Sequence, residues 1–136
     1  VEVPLLRKKT AKALVDSIGQ VGSVLTNPVD MSQRQAIAPS VKRALDLVAG
    51  EPQIDIILVY ENTGVLLDVY PRQVTNAVNR AFLDFSQELQ KPLVLVLPPG
   101  PSEARRREIE KAFKGAGVPI YPNVERAAKA IRNIIR

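Results

Sequence analysis

Two short and almost entirely apolar runs constrain the fold of this chain more than any other feature of its sequence. Residues 54–60 contain one charged residue, Asp55, and residues 93–97 contain none. Such runs, rich in β-branched and aliphatic residues, are typical of strands covered on both faces, as in parallel sheets. A shorter run at residues 118–121 predicts a third strand, and residues 1–3 suggest a fourth, truncated one.

Between these runs the apolar residues recur three and four positions apart, which predicts helices. The predicted helices are residues 10–18, residues 39–49, a long one after Pro71 with apolar positions from 74 to 89, one opened by Ser102, and one capped by Asn123 with apolar positions from 124 to 135. Strands that alternate with helices predict one α/β domain over residues 1–136, with an open, mainly parallel sheet and helices on both of its faces. Ligands of such sheets bind beyond the carboxyl ends of the strands, here the loops at 61–64, 98–101 and 121–123.

The chain contains no cysteine and no histidine. Their absence excludes disulfides, thiolate and imidazole metal ligands, and the Ser-His and Cys-His pairs of nucleophilic catalysis. We therefore expect no catalytic residue and no metal site from this chain by itself.

The net charge of +5 suggests nucleic-acid binding, with Arg105, Arg106 and Arg107 as the densest basic cluster. Glutamates lie among these arginines on a predicted helix, which favours local ion pairs at a solvated surface. The longest apolar runs have five to seven residues, far fewer than the ~20 that span a bilayer. We therefore expect a cytoplasmic protein that binds neither nucleic acid nor membrane. Val1 and the residues after it do not resemble a signal peptide, and we expect the chain to be a fragment.

A turn-rich block at residues 22–30 precedes the second predicted helix. Asn27-Pro28 favours a turn, and the side chains of Asn27 and Asp30 can satisfy backbone donors locally. This structural role is sufficient to account for Asn27, Pro28 and Asp30. A direct contribution to a site is the alternative.

Several segments in this order resemble the ligase-type, flavodoxin-like domain of NDP-forming acyl-CoA synthetases, the relatives of succinyl-CoA synthetase. The matching segments are Asn27-Pro28-Val29-Asp30, the helix at 39–49 with the strand at 53–59, Lys91-Pro92 with its strand, Gly117-Val118-Pro119-Ile120-Tyr121-Pro122, and Glu125-Arg126-Ala127-Ala128. Each segment is weak alone, but together they cover nearly the whole chain.

The resemblance implies an enzyme that converts an acid, CoA and an NTP to an acyl-CoA, an NDP and phosphate. In this family phosphate travels on a histidine, which this chain lacks. The histidine, the CoA-binding domain and the ATP-grasp domain would lie elsewhere, so CoA, nucleotide and Mg²⁺ would be bound by the parent enzyme. This chain itself is expected to bind no cofactor.

The sequence departs from the family at its start, where a strand and a glycine-rich turn are missing. In a flavodoxin-like or Rossmann-like sheet this first strand would lie beside the strand at 54–60, so its absence would leave strand edges open. We expect an upstream piece of the parent chain, or self-association, to fill the gap.

A second departure follows the strand at 54–60, where family members carry a glycine pair and this chain has Thr63-Gly64. If a phosphate-holding role is retained there, the backbone groups of Asn62, Thr63 and Gly64 would provide it. Leu66 and Leu67 make this loop unusually apolar, and Asp68 would repel a phosphate.

Two other functions stay open. The chain could be a ligand-sensing module derived from the same fold, or a free-standing oligomerisation domain whose open strand edges pair.

Overall fold

The structure is a computed structural model that describes residues 2–20, 22, 24–88 and 91–134. Its elements in chain order are helix α1 (Lys8–Ile18), strands β1 (Val24–Leu25) and β2 (Val29–Asp30), a 3₁₀ helix (Ser32–Ala36), α2 (Ala38–Ala49), β3 (Ile57–Tyr60), α3 (Thr63–Asp68), α4 (Arg72–Gln87), β4 (Leu93–Val96), α5 (Glu103–Gly115), β5 (Ile120–Tyr121) and α6 (Val124–Ile134).

The main sheet contains three parallel strands in the order β3-β4-β5. Ile57 pairs with Leu93 and Leu95 with Ile120, so β4 lies in the centre, and all four of its residues are buried. β1 and β2 form a separate antiparallel pair. The predicted α/β class and open parallel sheet are confirmed.

Helices cover both faces of this sheet, which gives three layers. On one face, Leu93 and Leu95 belong to the largest apolar cluster, which includes side chains of α2, α4 and α5. On the other face, Val94 and Val96 pack against α6 through Ala127 and Ile131. The alternation of β4 side chains between two covered faces explains why its sequence is uninterrupted in apolarity.

β3 is less protected than β4. It forms one border of the sheet, and no strand of the described residues pairs with its outer edge. On the α6 face, Leu58 is only partly buried and Tyr60 is 55% exposed. Within the described part of the chain, no strand takes the position that a flavodoxin-like order would fill beside β3.

Some predicted boundaries were wrong. Glu2 and Val3 form no strand, contrary to the prediction for residues 1–3. Val1 lies outside the described residues, and so do Leu89 and Ile135, which end two of the predicted apolar stripes. A strand needs a neighbour for its backbone groups, and no described strand pairs with the start of the chain. The apolar residues Leu66 and Leu67 do not lie in a loop, since they form part of α3 and are buried.

Two predicted caps differ in outcome. Asn123 Oδ1 accepts a hydrogen bond of 2.9 Å from the Arg126 N–H at the start of α6, so this cap is confirmed. Ser102 occupies the N-cap position of α5 but its side chain makes no capping hydrogen bond. Ser102 therefore marks where the helix begins without satisfying its free N–H groups.

A buried carboxylate attaches the amino-terminal helix to the rest of the domain. The Glu51 side chain is fully buried, and Arg7 Nε donates to it at 2.9 Å. The Thr10 hydroxyl also donates to Glu51, while Lys91 Nζ donates to the Glu51 and Ile54 carbonyls. Burial raises the pKa of Glu51, but hydrogen bonds from Thr10 and Gln53 and the charge of Arg7 outweigh it, so the net pKa is lowered.

We expect Glu51→Gln to lower the free energy of unfolding by about 2 kcal/mol at pH 7, because it removes charge-assisted hydrogen bonds. The ionised form stabilises the folded chain, so this difference should shrink as the pH falls below the ordinary carboxyl pKa of 4.5. Urea titrations at pH 7 and pH 4 measure both effects. Arg7→Gln should cost less, since the Arg7 side chain is 57% exposed. An equal cost of Glu51→Gln at both pH values would contradict this assignment.

Candidate functional site

The carboxyl ends of the parallel strands lie at one border of the sheet, which is where ligands bind in open α/β folds. β3 is followed directly by Glu61, whose backbone N–H donates to the Val96 carbonyl at 3.0 Å and extends the ladder with β4. The chain then enters the short helix α3. The candidate site is the set of polar side chains around this junction.

Glu61 is a buried carboxylic acid without a hydrogen-bond partner. Glu61 is 1% exposed, and both of its carboxyl oxygens are unpaired. Asn79 of α4 is 7% exposed, and its amide nitrogen and oxygen are likewise unpaired. Burial raises the pKa of Glu61 to about 7, while the nearby Asn79 amide lowers it and offsets part of the increase. Near neutral pH this carboxyl therefore exists in both protonation states.

Two side chains tie α3 to the helices beside it. The Thr75 hydroxyl of α4 donates to the Leu66 carbonyl at 2.8 Å. Arg105 of α5 donates to the Leu67 carbonyl, and its other terminal nitrogen donates to Thr75 Oγ1 at 3.2 Å. These bonds satisfy carbonyl groups near the end of α3, where the helix offers no partner of its own.

A groove of about 170 Å³ runs between α4 and α5, and residues that line it include Thr75, Asn79, Leu83, Arg105 and Ile109. Its mixed polar and apolar walls could hold a small group, but they contain no nucleophile paired with a base. In the described part of the chain, no three acidic side chains lie close enough together to hold a metal ion.

The predicted residues Asn62, Thr63 and Gly64 form the start of α3. Asn62 Oδ1 accepts a hydrogen bond of 3.3 Å from the Val65 N–H and so caps the helix. The Thr63 side chain lies outside the described part of the structure, and Gly64 lies within the helix. Because Asn62 already occupies one of the free donors, less of this end is open to an anion. Phosphate proximity stays a prediction.

The predicted residues Asn27, Pro28 and Asp30 lie at the β1–β2 hairpin, where the Asn27–Pro28 peptide bond is cis. Asp30 Oδ1 accepts from the Ser32 N–H at 2.8 Å, which is the local role that was expected. The side-chain amide of Asn27 instead donates a hydrogen bond of 2.7 Å to the Pro4 carbonyl, which is far away in the sequence.

The hairpin packs with α1 and α2 in one apolar cluster, and Leu67 of α3 belongs to another. No hydrogen bond of the described residues joins the predicted residues of the hairpin to those at the start of α3.

Thr75, Asn79 and Arg105 were not predicted as site residues, and Glu61 was predicted only as part of a loop. A signal existed for two of them, because Thr75 and Asn79 are four residues apart on the apolar face of a predicted helix. Polar side chains at such positions are buried and need partners. No signal in the sequence connects Arg105 with α3.

The fold defines an open α/β protein of the flavodoxin-like or Rossmann-like type, with its polar junction at the carboxyl end of an unprotected strand. No family model, no curated protein and no solved structure matches the chain. No helix of the described residues combines the length and the apolar character that crossing a bilayer requires.

Proposed function

We propose that this chain is a non-catalytic or part-catalytic domain of a cytoplasmic NDP-forming acyl-CoA synthetase, and that its main contribution is an interface with the rest of the enzyme. The parent enzyme would join an acid to CoA at the expense of an NTP. Its CoA-binding and ATP-grasp parts would hold CoA, nucleotide and Mg²⁺. The resemblance of the sequence suggests this family, and the open border of the sheet at β3 supports the interface role.

The geometry of β3 shows what its outer edge offers to a partner. The N–H groups of Ile57 and Glu61 donate toward β4, to Pro92 and Val96. Because successive residues of a strand point their backbone groups in opposite directions, the N–H groups of Leu58 and Tyr60 face the outer edge.

β3 contains no charged residue, although edge strands of monomeric proteins are commonly protected by charges, prolines or bulges. Leu58 and Tyr60 also leave part of the α6 face uncovered next to this edge. A partner strand with a covering helix would bury both features, and it would occupy the position of the missing family strand.

The proposed role as an interface is better supported than a role as one wall of the phosphotransfer site. Asn62 caps α3 with its own side chain, and Asp68 adds a negative charge to the same short helix. Neither feature favours a bound phosphate.

A proline at Tyr60 tests the interface selectively. Tyr60→Pro removes an N–H that faces away from β4, so the three-stranded sheet should persist while pairing at the outer edge is blocked. Tyr60→Thr is the matched control, because it removes the same side chain and keeps the N–H. In the full protein or complex that contains this chain, we expect Tyr60→Pro to reduce acyl-CoA formation from small acids, CoA and ATP or GTP by roughly tenfold or more, and Tyr60→Thr to have little effect.

The alternative functions predict other results. A full protein that forms no acyl-CoA or NDP with a panel of acids would refute the synthetase proposal. An oligomerisation domain would instead give this chain a concentration-dependent mass in sedimentation at micromolar concentration, which Tyr60→Pro and not Tyr60→Thr should abolish. Equal activity and equal mass of both variants would refute the role of the edge.

A further inference from the structure

The pair formed by Glu61 and Asn79 has no role in the proposed interface, and it is the least satisfied polar feature among the described residues. Their four side-chain nitrogen and oxygen atoms are buried without partners. An ionised carboxylate in such a place lacks both water and a counter-charge, which is costly. A neutral carboxyl is better tolerated there, because it carries no charge that burial would strip of water.

We propose that the buried carboxyl of Glu61 is a proton-dependent latch, which holds α3 against α4 when the carboxyl is neutral and releases α3 when the carboxyl is ionised.

The chain next to Glu61 determines which element would move. The Glu61 backbone is fixed to Val96 of the central strand, and Asn79 lies in the middle of a helix of 16 residues. α3 has only 6 residues, and a helix that short is not stable without tertiary contacts. The cheapest way for an ionised Glu61 side chain to reach water is therefore a displacement of the residues directly after it.

The contacts that oppose this movement are few. Leu66 and Leu67 are buried, and the carbonyls of these two residues accept from Thr75 and Arg105. Val69, at the end of α3, is 68% exposed. α3 is thus attached through one turn, which makes a local opening possible without unfolding the sheet.

No charged group of the neighbouring elements explains the titration of Glu61. The two contributions to its pKa are burial and the Asn79 amide. The charged side chains on these elements include Arg72 and Arg80 of α4, which pair with Glu108 and Asp84. They also include Arg105 of α5, which bonds to α3 and Thr75, and the exposed Asp68 of α3, while the end of β4 is apolar. The latch therefore depends on the protonation of Glu61 alone.

Amide hydrogen exchange of residues 66–69 tests the latch in the full chain. With a closed-state pKa of about 7 and an ordinary value of 4.5 when open, the open fraction should rise about tenfold between pH 6 and pH 8. Exchange rates are corrected for the intrinsic pH dependence of the chemical step. The Leu95 amide in β4 reports global unfolding and should exchange much more slowly than residues 66–69.

Two variants make the test decisive. Glu61→Gln should remove the pH dependence of exchange in α3 and keep the slow rate. Asn79→Leu should move the midpoint of the pH dependence upward, because the Asn79 amide lowers the pKa of Glu61. The latch is overturned if α3 in Glu61→Gln keeps the wild-type pH dependence, if α3 exchanges no faster than Leu95, or if Asn79→Leu leaves the midpoint unchanged.

Discussion

Replacing Glu61 by glutamine is expected to raise the free energy of unfolding by about 3 kcal/mol at pH 8 and to leave it nearly unchanged at pH 4. The side chain is 1% exposed and unpaired, and burial raises its pKa from 4.5 to about 7. Each unit of difference corresponds to about 1.4 kcal/mol between the protonation states. Glutamine keeps the shape of the neutral acid and cannot ionise.

The direction of the pH effect follows from proton binding. Between pH 4.5 and pH 7 the folded chain keeps the Glu61 proton that the unfolded chain has lost. The stability of the wild type therefore falls as the pH rises through this window, and Glu61 contributes no further change above it. Urea titrations of both proteins from pH 4 to pH 8 isolate this effect, because all other titrating groups are shared.

An exposed glutamate provides the matched control for this experiment. Glu125 of α6 has a side chain that is 75% exposed, and Glu125→Gln should change stability by less than about 0.5 kcal/mol at any pH. If Glu61→Gln were no more stable than the wild type at pH 8, the Glu61 carboxyl would have to be solvated or paired in the folded state.

Phe113→Ala is expected to lower the free energy of unfolding by about 3–5 kcal/mol, because it removes a large side chain from a core that can only partly collapse. Phe113 is fully buried in α5 and belongs to the cluster that covers β4 through Leu93 and Leu95. A loss of this size is a large fraction of the stability of a typical domain. Urea denaturation followed by circular dichroism measures it.

Two further substitutions bracket the effect of Phe113→Ala. Phe113→Leu keeps most of the volume and should cost less than about 1.5 kcal/mol. Val69→Ala removes apolar atoms from a residue that is 68% exposed and should have almost no effect. A cost below about 1 kcal/mol for Phe113→Ala would show that α5 does not pack on the sheet as described.

The predictions for Glu61 and Phe113 concern two different parts of the domain. The centre of the sheet is conventional, with apolar side chains on both faces of β4. The end of β3 carries a buried acid and leads into a helix of 6 residues. Conflicts with local stability of this kind are expected at functional positions, which is why the site and the latch are both placed there.

The pattern of the sequence was sufficient to predict the parallel sheet and the longer helices. Runs such as 93–97 favour a strand covered on both faces, because their short length and uninterrupted apolar character suit side chains that alternate between two buried faces. The helix at Ala38–Ala49 and the cap at Asn123 were predicted for equally local reasons, namely apolar spacing and a side chain within reach of a free N–H.

The candidate site was only partly predictable. The loop after β3 was expected at the carboxyl end of a strand, and Asn62 was among its residues. α3 was missed, because a helix of 6 residues has too few positions to show a period and is stabilised by contacts from Thr75 and Arg105. Arg105 was interpreted as part of a solvated basic surface, which its sequence neighbours suggested.

The sequence by itself determined the α/β class, the parallel sheet and the absence of histidine and cysteine chemistry, because these depend on residue types and on short-range periodicity. Only the tertiary structure decided that Glu61 is buried near Asn79 and that no strand of the described residues pairs with the outer edge of β3. Burial and the lack of a partner are properties of what surrounds a residue. They arise from segments far apart in the chain, and no local pattern records them.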